Sequence, residues 1–264
     1  MLLIKNNRLR ILCGLLETGN WLLVKLWFKN RQRAKDLPSR FFRTYMTLAG
    51  QEGWQCRSLQ EVFGARVNQR ITFEYLESPG INTPMDELAY LALLARILQP
   101  KAMFEIGTFR GRTALNFALN SPPDAEIFTM DLPAEERDTG KARATDNDAA
   151  VIRASLTGID YRDKPGSEKI RQLFGNSLTF DFTPYFGRMD MVYVDGAHDY
   201  EAVKSDTLNA LKMLKPGGWL LWDDFGFYGE YNGLMRAIFE CVPAGQVIQV
   251  ESAPLAIYQK PPTS

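Results

Sequence analysis

Five acidic residues and one histidine stand where this chain could do chemistry. Glu105 lies two residues before Gly107 in Phe104-Glu105-Ile106-Gly107-Thr108-Phe109-Arg110-Gly111-Arg112-Thr113, where a short apolar run turns into a helical one. Glycine at 107 lets the backbone turn tightly and approach a ligand. Gly111 permits close packing at the helix start, and free N–H groups there can receive a carboxylate. The loop is a poor dinucleotide fingerprint, because Phe109 stands where a pyrophosphate needs a glycine. Glu105 also disfavours a phosphate, whereas an acid in that place suits an ammonium or a sulfonium. Asp131 closes the next apolar run. It is placed either to accept hydrogen bonds from both hydroxyls of a ribose or to serve as a turn residue.

A second group combines Asp195, His198, Asp223 and Asp224. Three carboxylates without cysteine are hard oxygen donors suited to Mg²⁺ or Ca²⁺. His198, the only histidine in the chain, can be neutral and basic near pH 7 and so take a proton. Plainer readings stay open: Asp195 contacting only the ligand of the first group, Asp223 and Asp224 in a turn, Asp199 capping a helix that starts at Tyr200, with His198 in the same turn. Phe225, Phe227, Tyr228 and Tyr231 follow directly. They fit an apolar wall for an acceptor or hydrophobic cover for a sheet edge.

These groups need a scaffold that ends several strands at one level. Apolar runs predict strands at Ile71–Leu76, Ala102–Ile106, Glu126–Met130, Ile170–Phe174, Met189–Val194 and Trp219–Trp222. Helical periodicity covers Met85–Leu98, Gly111–Leu119, Tyr200–Leu214 and Leu234–Cys241. Asn82-Thr83-Pro84 reads as a cap followed by proline at the first helical position, and Lys215-Pro216-Gly217-Gly218 as the stop after the third helix. Gln246–Val250 and Leu255–Gln259 read as a hairpin across Glu251–Pro254. Alternating strands and helices predict right-handed βαβ units in a mainly parallel sheet, into which the hairpin inserts one antiparallel strand. Residues 132–168 form a long polar stretch that, with the N-terminal third, would gate the acceptor site.

Taken in order, Glu105-x-Gly107-x-x-x-Gly111, Asp131, Gly175-Asn176-Ser177, Asp195-Gly196-Ala197-His198-Asp199-Tyr200 and Lys215-Pro216-Gly217-Gly218 resemble the class I methyltransferases that use S-adenosylmethionine. The nearest branch is the O-methyltransferase-like group with an Asp-Gly-x-His-x-Tyr signature. The resemblance covers roughly residues 84–260 and implies a Rossmann-like α/β fold with a seven-stranded sheet. It places Glu105, Gly107, Thr108, Phe109, Gly111, Thr113, Asp131, Asn176, Ser177 and Asp195 against the cofactor. Asn176 stands where many relatives have Asp. The carboxylates of Asp195, Asp223 and Asp224 resemble the metal ligands of metal-dependent catechol and macrolide-sugar O-methyltransferases, with Mg²⁺ as the ion. Catechol enzymes often have Asn where this chain has Asp224, and a catalytic Lys where it has His198. The resemblance implies methyl transfer to a small hydroxylated acceptor, with His198 and Asp195 at the reaction centre. The rival of another class is a protein that keeps the cofactor site and has lost the chemistry.

Composition narrows the partners. Lys+Arg and Asp+Glu are both 31, so no net field attracts nucleic acid. An Asn/Asp-Pro-Pro-aromatic motif of nucleic-acid methyltransferases is missing. Three scattered cysteines, Cys13, Cys56 and Cys241, argue for reduced thiols and a cytoplasmic protein. The first 35 residues carry Lys5, Arg8, Arg10, Lys25, Lys29, Arg31, Arg33 and Lys35 against Glu17, together with Trp21, Trp27 and Phe28. Gly14 and Gly19 divide them into two short amphipathic helices. These suit a peripheral membrane contact or packing on the body or on a second subunit of a homodimer. The chain thus divides into an N-terminal helical accessory segment, 1–80, and a cofactor-binding domain, 81–264.

Overall fold

The computed structural model describes residues 54–75, 83–133, 136, 157–226 and 232–262. The basic arm at 1–35, most of the 132–168 stretch, and Phe227, Tyr228 and Tyr231 lie outside the described residues.

Strand β1 (Gln55–Arg57) leads into a short helix, α1 (Leu59–Phe63), which Ser58 and Glu61 close at its start as a capping box. Then come α2 (Met85–Leu98), β2 (Ala102–Ile106), α3 (Arg112–Asn120), β3 (Glu126–Asp131), β4 (Ile170–Phe174) and β5 (Met189–Val194). Helix α4 (Tyr200–Met213), β6 (Leu214–Trp222), α5 (Asn232–Cys241), β7 (Ile248–Val250) and β8 (Ala256–Gln259) complete the order. The sheet runs β1-β7-β8-β6-β5-β2-β3-β4. Every pairing is parallel except those of β8, which lies antiparallel to both β6 and β7. The Rossmann-like plan and the single antiparallel strand are therefore as the sequence predicts, and β1 adds an eighth strand at the edge. Residues 54–67 of the segment taken as accessory thus pair and pack with the sheet.

Strand alternation sorts the side chains. One face of the sheet carries Met103, Ile127, Ile170, Met191, Tyr193, Leu221 and Ile257 into a core with Leu91, Leu94 and Ala95 of α2 and Phe117 of α3. The other face carries Trp222, whose indole N–H donates to Thr207 Oγ1 on α4 at 3.0 Å.

Three boundaries differ from the sequence reading. Pro84 is itself the N-cap of α2 and not its first helical residue, so the cap falls later in the sequence than expected, and Leu88 N–H donates to the Pro84 carbonyl at 2.9 Å. Lys215-Pro216-Gly217-Gly218 does not separate α4 from a strand. It opens β6 directly, because Gly217 N–H donates to Lys260 O and Lys260 N–H to Gly218 O. The strand expected at Ile71–Leu76 is absent over its described part, residues 71–75.

Side chains take the partner strand's place there. Asn120 Oδ1 accepts from Thr72 N–H at 2.9 Å while its amide donates to Thr72 O at 2.8 Å. One turn earlier on α3, Asn116 repeats the exchange with Glu74 N–H and O, both at 3.1 Å. The two asparagines satisfy alternate residues of an extended segment, as a neighbouring strand would. Buried Arg112 extends the series by donating to Tyr75 O at 2.7 Å and Thr83 O at 2.8 Å.

Removing one amide should release this segment. Asn116→Ala leaves two backbone groups unpaired and should cost about 1–3 kcal/mol in urea unfolding. Hydrogen exchange should quicken at Glu74 and leave the β2 amides protected. Unchanged exchange at Glu74 would show that the segment is held by other contacts.

Candidate functional site

Parallel register brings the chemistry together. Glu105 pairs in register with Thr129 on one side and Tyr193 on the other, and Tyr193 with Leu221. Along each of these strands the next inward-facing place is Gly107, Asp131, Asp195 or Asp223. Asp195 N–H donates to Ile106 O at 2.8 Å and Asp223 N–H to Val194 O at 3.1 Å, so the sheet ladder continues into the acidic residues. The carboxylates come from the carboxyl ends of β2, β3, β5 and β6, where α/β sheets bind ligands.

Glu105 is 1% exposed. Thr129 donates to its Oε2, and its Oε1 has no hydrogen-bond partner. Burial pushes the carboxyl up to about 8; the Thr129 hydroxyl opposes that shift and Asp131 adds to it. A buried carboxyl with one orphaned oxygen is fitted to receive a cationic group. Thr108 joins the same network: its Oγ1 lies 2.7 Å from Thr129 Oγ1 and accepts from Gln172 Nε2 at 3.0 Å. Tyr161 O–H donates to Gln172 Oε1 at 2.7 Å.

The turn after β2 is tightly held. Gly107 has φ +106°, and a Cβ there would meet Asp195 O at 1.8 Å. Its small size is therefore required by the adjoining strand end, and not only by a ligand. Gly111, at φ +84°, caps α3, where a Cβ would meet the Tyr161 ring at 2.4 Å. Phe109 also takes a positive φ, 46°, which aims its N–H at Asp131 Oδ2, 3.1 Å away. Asp131 further accepts from Leu132 N–H at 2.8 Å and Thr157 Oγ1 at 3.3 Å. Thr113 is buried in the first turn of α3.

The end of the 132–168 stretch clamps this turn. Gly158 N–H donates to Phe109 O at 3.0 Å and Asp160 N–H to Arg110 O at 2.8 Å, while Arg110 pairs with buried Asp160 at 2.7 Å. Within the expected gate, residues 157–161 brace the turn.

Asn176 uses its side chain locally, Oδ1 accepting from Leu178 N–H at 3.0 Å, so an adenine contact would draw on its amide nitrogen. Ser177 lies beside Asp206 of α4. Burial raises the Asp206 carboxyl to about 7, and the Ser177 side chain opposes that shift. Asp199 caps α4, accepting from Glu201 and Ala202 N–H at 3.1 Å.

At the second group, His198 Nε2 lies 3.0 Å from Asp224 Oδ2. Two residues read separately, as base and as metal ligand, are thus one pair. Asp223 lies within hydrogen-bonding reach of Asp195 and of Glu87 in the first turn of α2. Burial, then Asp223, holds the carboxyls of both Asp195 and Glu87 well above the usual range. Among the described residues no group of three or more His, Cys, Asp or Glu side chains is placed to hold a metal ion. The donor chemistry nevertheless suits a hard cation, since Asp223 Oδ1 and both Glu87 oxygens are buried without a donor.

Glu87, Thr129, Gln172 and Asp206 are the neighbours that sequence reasoning missed. Glu87 had a visible signal: it falls four residues before Leu91 on the apolar stripe of α2, where a carboxylate is out of place. Phe225 is core: it is 1% exposed and packs edge-on against Trp54 and Phe239. It is therefore cover and not an acceptor wall. A cavity of about 770 Å³ opens elsewhere, at the amino ends of the strands, among Phe63, Lys101, Asp190, Lys215 and Trp219. Its Lys215–Asp190 pair at 2.6 Å is mutually satisfied and offers no reactive group.

Known proteins resemble this arrangement. Caffeoyl-CoA O-methyltransferase of Pinus taeda is 27% identical over 145 residues, 54% of this chain and 50% of that one. The enzyme of the same name from Populus kitakamiensis is 26% identical over 171 residues, 62% of this chain and 63% of that one. The chain thus spans about half to two thirds of the length of these curated relatives. The O-methyltransferase TomG of Streptomyces achromogenes, solved in complex with SAM, superposes with a TM-score of 0.49 at 17% identity, over 80% of this chain and 99% of that one. Residues 104–225 match the methyltransferase domain family. With the acidic strand ends and the β2–α3 turn inside that range, the chain carries a class I S-adenosylmethionine-dependent methyltransferase domain.

Proposed function

We propose that this chain methylates a hydroxyl oxygen of a small acceptor from S-adenosylmethionine, assisted by a divalent cation. The observation that carries the reading is the orphaned, buried oxygen of Glu105 beside Asp131, with the Asp195–Asp223 carboxylates one strand away. S-adenosylmethionine supplies an electrophilic methyl group on a sulfonium. Glu105 would hold its cationic aminoacyl end, Asp131 its ribose, and the braced turn at Gly107–Phe109 would fix its position; Thr113, Asn176 and Ser177 would complete the contact. A divalent cation supplies Lewis acidity toward an acceptor hydroxyl. Its ligands would be drawn from Asp195, Asp223 and Asp224. His198, oriented by Asp224, would receive the acceptor's proton. Most of the protein's contribution would be to hold the acceptor oxygen in line with the methyl group.

The residues at 1–35 would supply a peripheral membrane or subunit contact, which sedimentation with anionic liposomes separates. Among the described residues, no helix is long and apolar enough to cross a membrane.

S-adenosylmethionine should bind in calorimetry and NAD should not. Asp131→Ala should weaken binding roughly tenfold to a hundredfold, the weight of hydrogen bonds to a charged group. Binding near pH 7 should release a proton from Glu105, seen as an enthalpy that varies with the buffer. Glu105→Gln should abolish that dependence. NAD binding with no S-adenosyl ligand would overturn the reading.

The ligand-free protein gives a second test. The Glu105 carboxyl rises from 4.5 to about 8 on folding, so its favourable share of stability is complete below the lower value. It is lost as pH rises through about 8. Wild type should therefore lose more stability than Glu105→Gln over this interval in chemical unfolding. Parallel curves would show that Glu105 ionises normally.

On a confirmed acceptor, His198→Ala should lower turnover about a hundredfold or more with little change in cofactor affinity. Chelator should remove activity and Mg²⁺ restore it. Full activity in chelator rejects the cation alone, and wild-type turnover of His198→Ala rejects the base alone.

A further inference from the structure

Asp206 is a carboxylate that packing does not explain. It is 0% exposed, on the face of α4 that buries Ala202, Val203, Thr207 and Ala210. Neither of its oxygens has a hydrogen-bond partner. Two turns approach it. A Cβ on Gly196, just past β5, would stand 3.4 Å from its Oδ2. Ser177, just past β4, brings a hydroxyl near enough to oppose the rise of its carboxyl, without closing a hydrogen bond to it. Ser177 is only half-buried, whereas Asp206 is shut off from solvent. The Ser177 loop is tied to the ribose side of the site, because Gly175 N–H donates to Asp131 O at 3.0 Å. Asp206 therefore does not touch a ligand itself; Ser177 is the group that can.

A serine hydroxyl has one proton to give and two lone pairs to offer, whereas a carboxylate only accepts. An ionised Asp206 thus draws the Ser177 proton inward and leaves lone pairs facing the site. We infer that Asp206 is a positioning residue for base recognition, fixing Ser177 as an acceptor that reads the exocyclic amine of adenine. This rests on the S-adenosylmethionine reading above and adds to it a residue that sets specificity without touching the cofactor. Adenine presents an N–H donor at its 6-position and ring nitrogens that accept. Asn176, whose Oδ1 is taken by Leu178 N–H, has its amide nitrogen to supply the matching donor. Hypoxanthine carries a carbonyl at the 6-position, and that oxygen would meet the Ser177 lone pairs. A site of fixed polarity rejects such an analogue.

The test is calorimetry on the full chain at about pH 8.5, where the Asp206 carboxyl is ionised. It compares S-adenosylhomocysteine with its deaminated analogue, S-inosylhomocysteine. The two share their aminoacyl and ribose ends, so Glu105 and Asp131 cancel in the ratio of affinities. Wild type should prefer the adenine form about tenfold to a hundredfold, the weight of a charge-assisted hydrogen bond. Asp206→Asn should cut that preference to about threefold or less, because its amide can donate to Ser177 and free the serine proton for the carbonyl. Ser177→Ala should cut it as far, and adding Asp206→Asn to Ser177→Ala should change it no further. If Asp206→Asn does not fold, Asp206→Ala is read in its place, with the same loss expected. A merely structural Asp206 would weaken both compounds alike, so an unchanged ratio in the Asp206 variants overturns the inference. A further fall in the double variant overturns it as well. Equal binding of the two compounds by wild type overturns it and leaves the S-adenosylmethionine reading standing. Failure of wild type to bind either overturns both.

Discussion

The structure depends on one constraint: like charges collected at the carboxyl ends of parallel strands. Parallel pairing puts residues of neighbouring strands at one level, and alternation puts them on one face. Met103, Ile127, Met191 and Leu221 fill that face in mid-sheet. The same geometry carried to the strand ends gathers Glu105, Asp131, Asp195 and Asp223 beside one another. Apolar packing below and helices α2 and α3 above keep water from the innermost of them. Desolvation first, and then repulsion, lifts carboxyls out of their usual range, as at Glu105 and Asp195. Such a site gains most from ligands that bring positive charge, and a sulfonium donor and a divalent ion are both of that kind.

The surrounding devices make sense as ways of holding this charged end in place. Gly107 is squeezed against the Asp195 carbonyl, so the first turn cannot drift from β5. The 157–160 segment bonds the outer side of the same turn through Phe109 and Arg110. Glu105, Thr129, Thr108, Gln172 and Tyr161 form a continuous polar chain across three strands and into that segment. A loop tied on both sides retains positive φ at Phe109, a conformation that costs energy for a bulky residue.

Much of this was legible in the sequence because local pattern and tertiary role agree there. Apolar runs at 102–106, 126–131 and 189–194 are central strands, buried on both faces, and they end in the acids that mark the site. Asp199 reads as a cap and is one. Legibility fails where the deciding partner is remote. Gln55-Cys56-Arg57 has no strand pattern and becomes a strand because β7 lies beside it. Ile71–Leu76 has the pattern, but the side chains of Asn116 and Asn120 occupy its hydrogen bonds. The glycine at 107 was readable as obligatory, whereas its cause, a carbonyl far along the chain, was not. Glu87 stands out on the apolar stripe of α2, but that it faces Asp223 at the end of β6 is not readable from the pattern. Phe225 follows the acidic pair and looks like part of an acceptor wall, but Trp54 and Phe239 claim it for the core.

The edge pairing of β1 has a consequence for the order of events at the ribosome. Its hydrogen-bonded neighbour, Ile248–Val250, comes far later in the sequence, and β8 must be in place to join β7 to β6. Strands β3, β4 and β5 can each pair as they emerge with a strand made before them, β3 and β5 with β2 and β4 with β3. Gln55–Arg57 cannot, since its docking surface does not exist until β7 and β8 have been made. Until then the early segment must wait, with unpaired backbone and the apolar side of α1 uncovered. Closure of this sheet edge has to follow the synthesis of β8, and it joins the first described strand to one of the last.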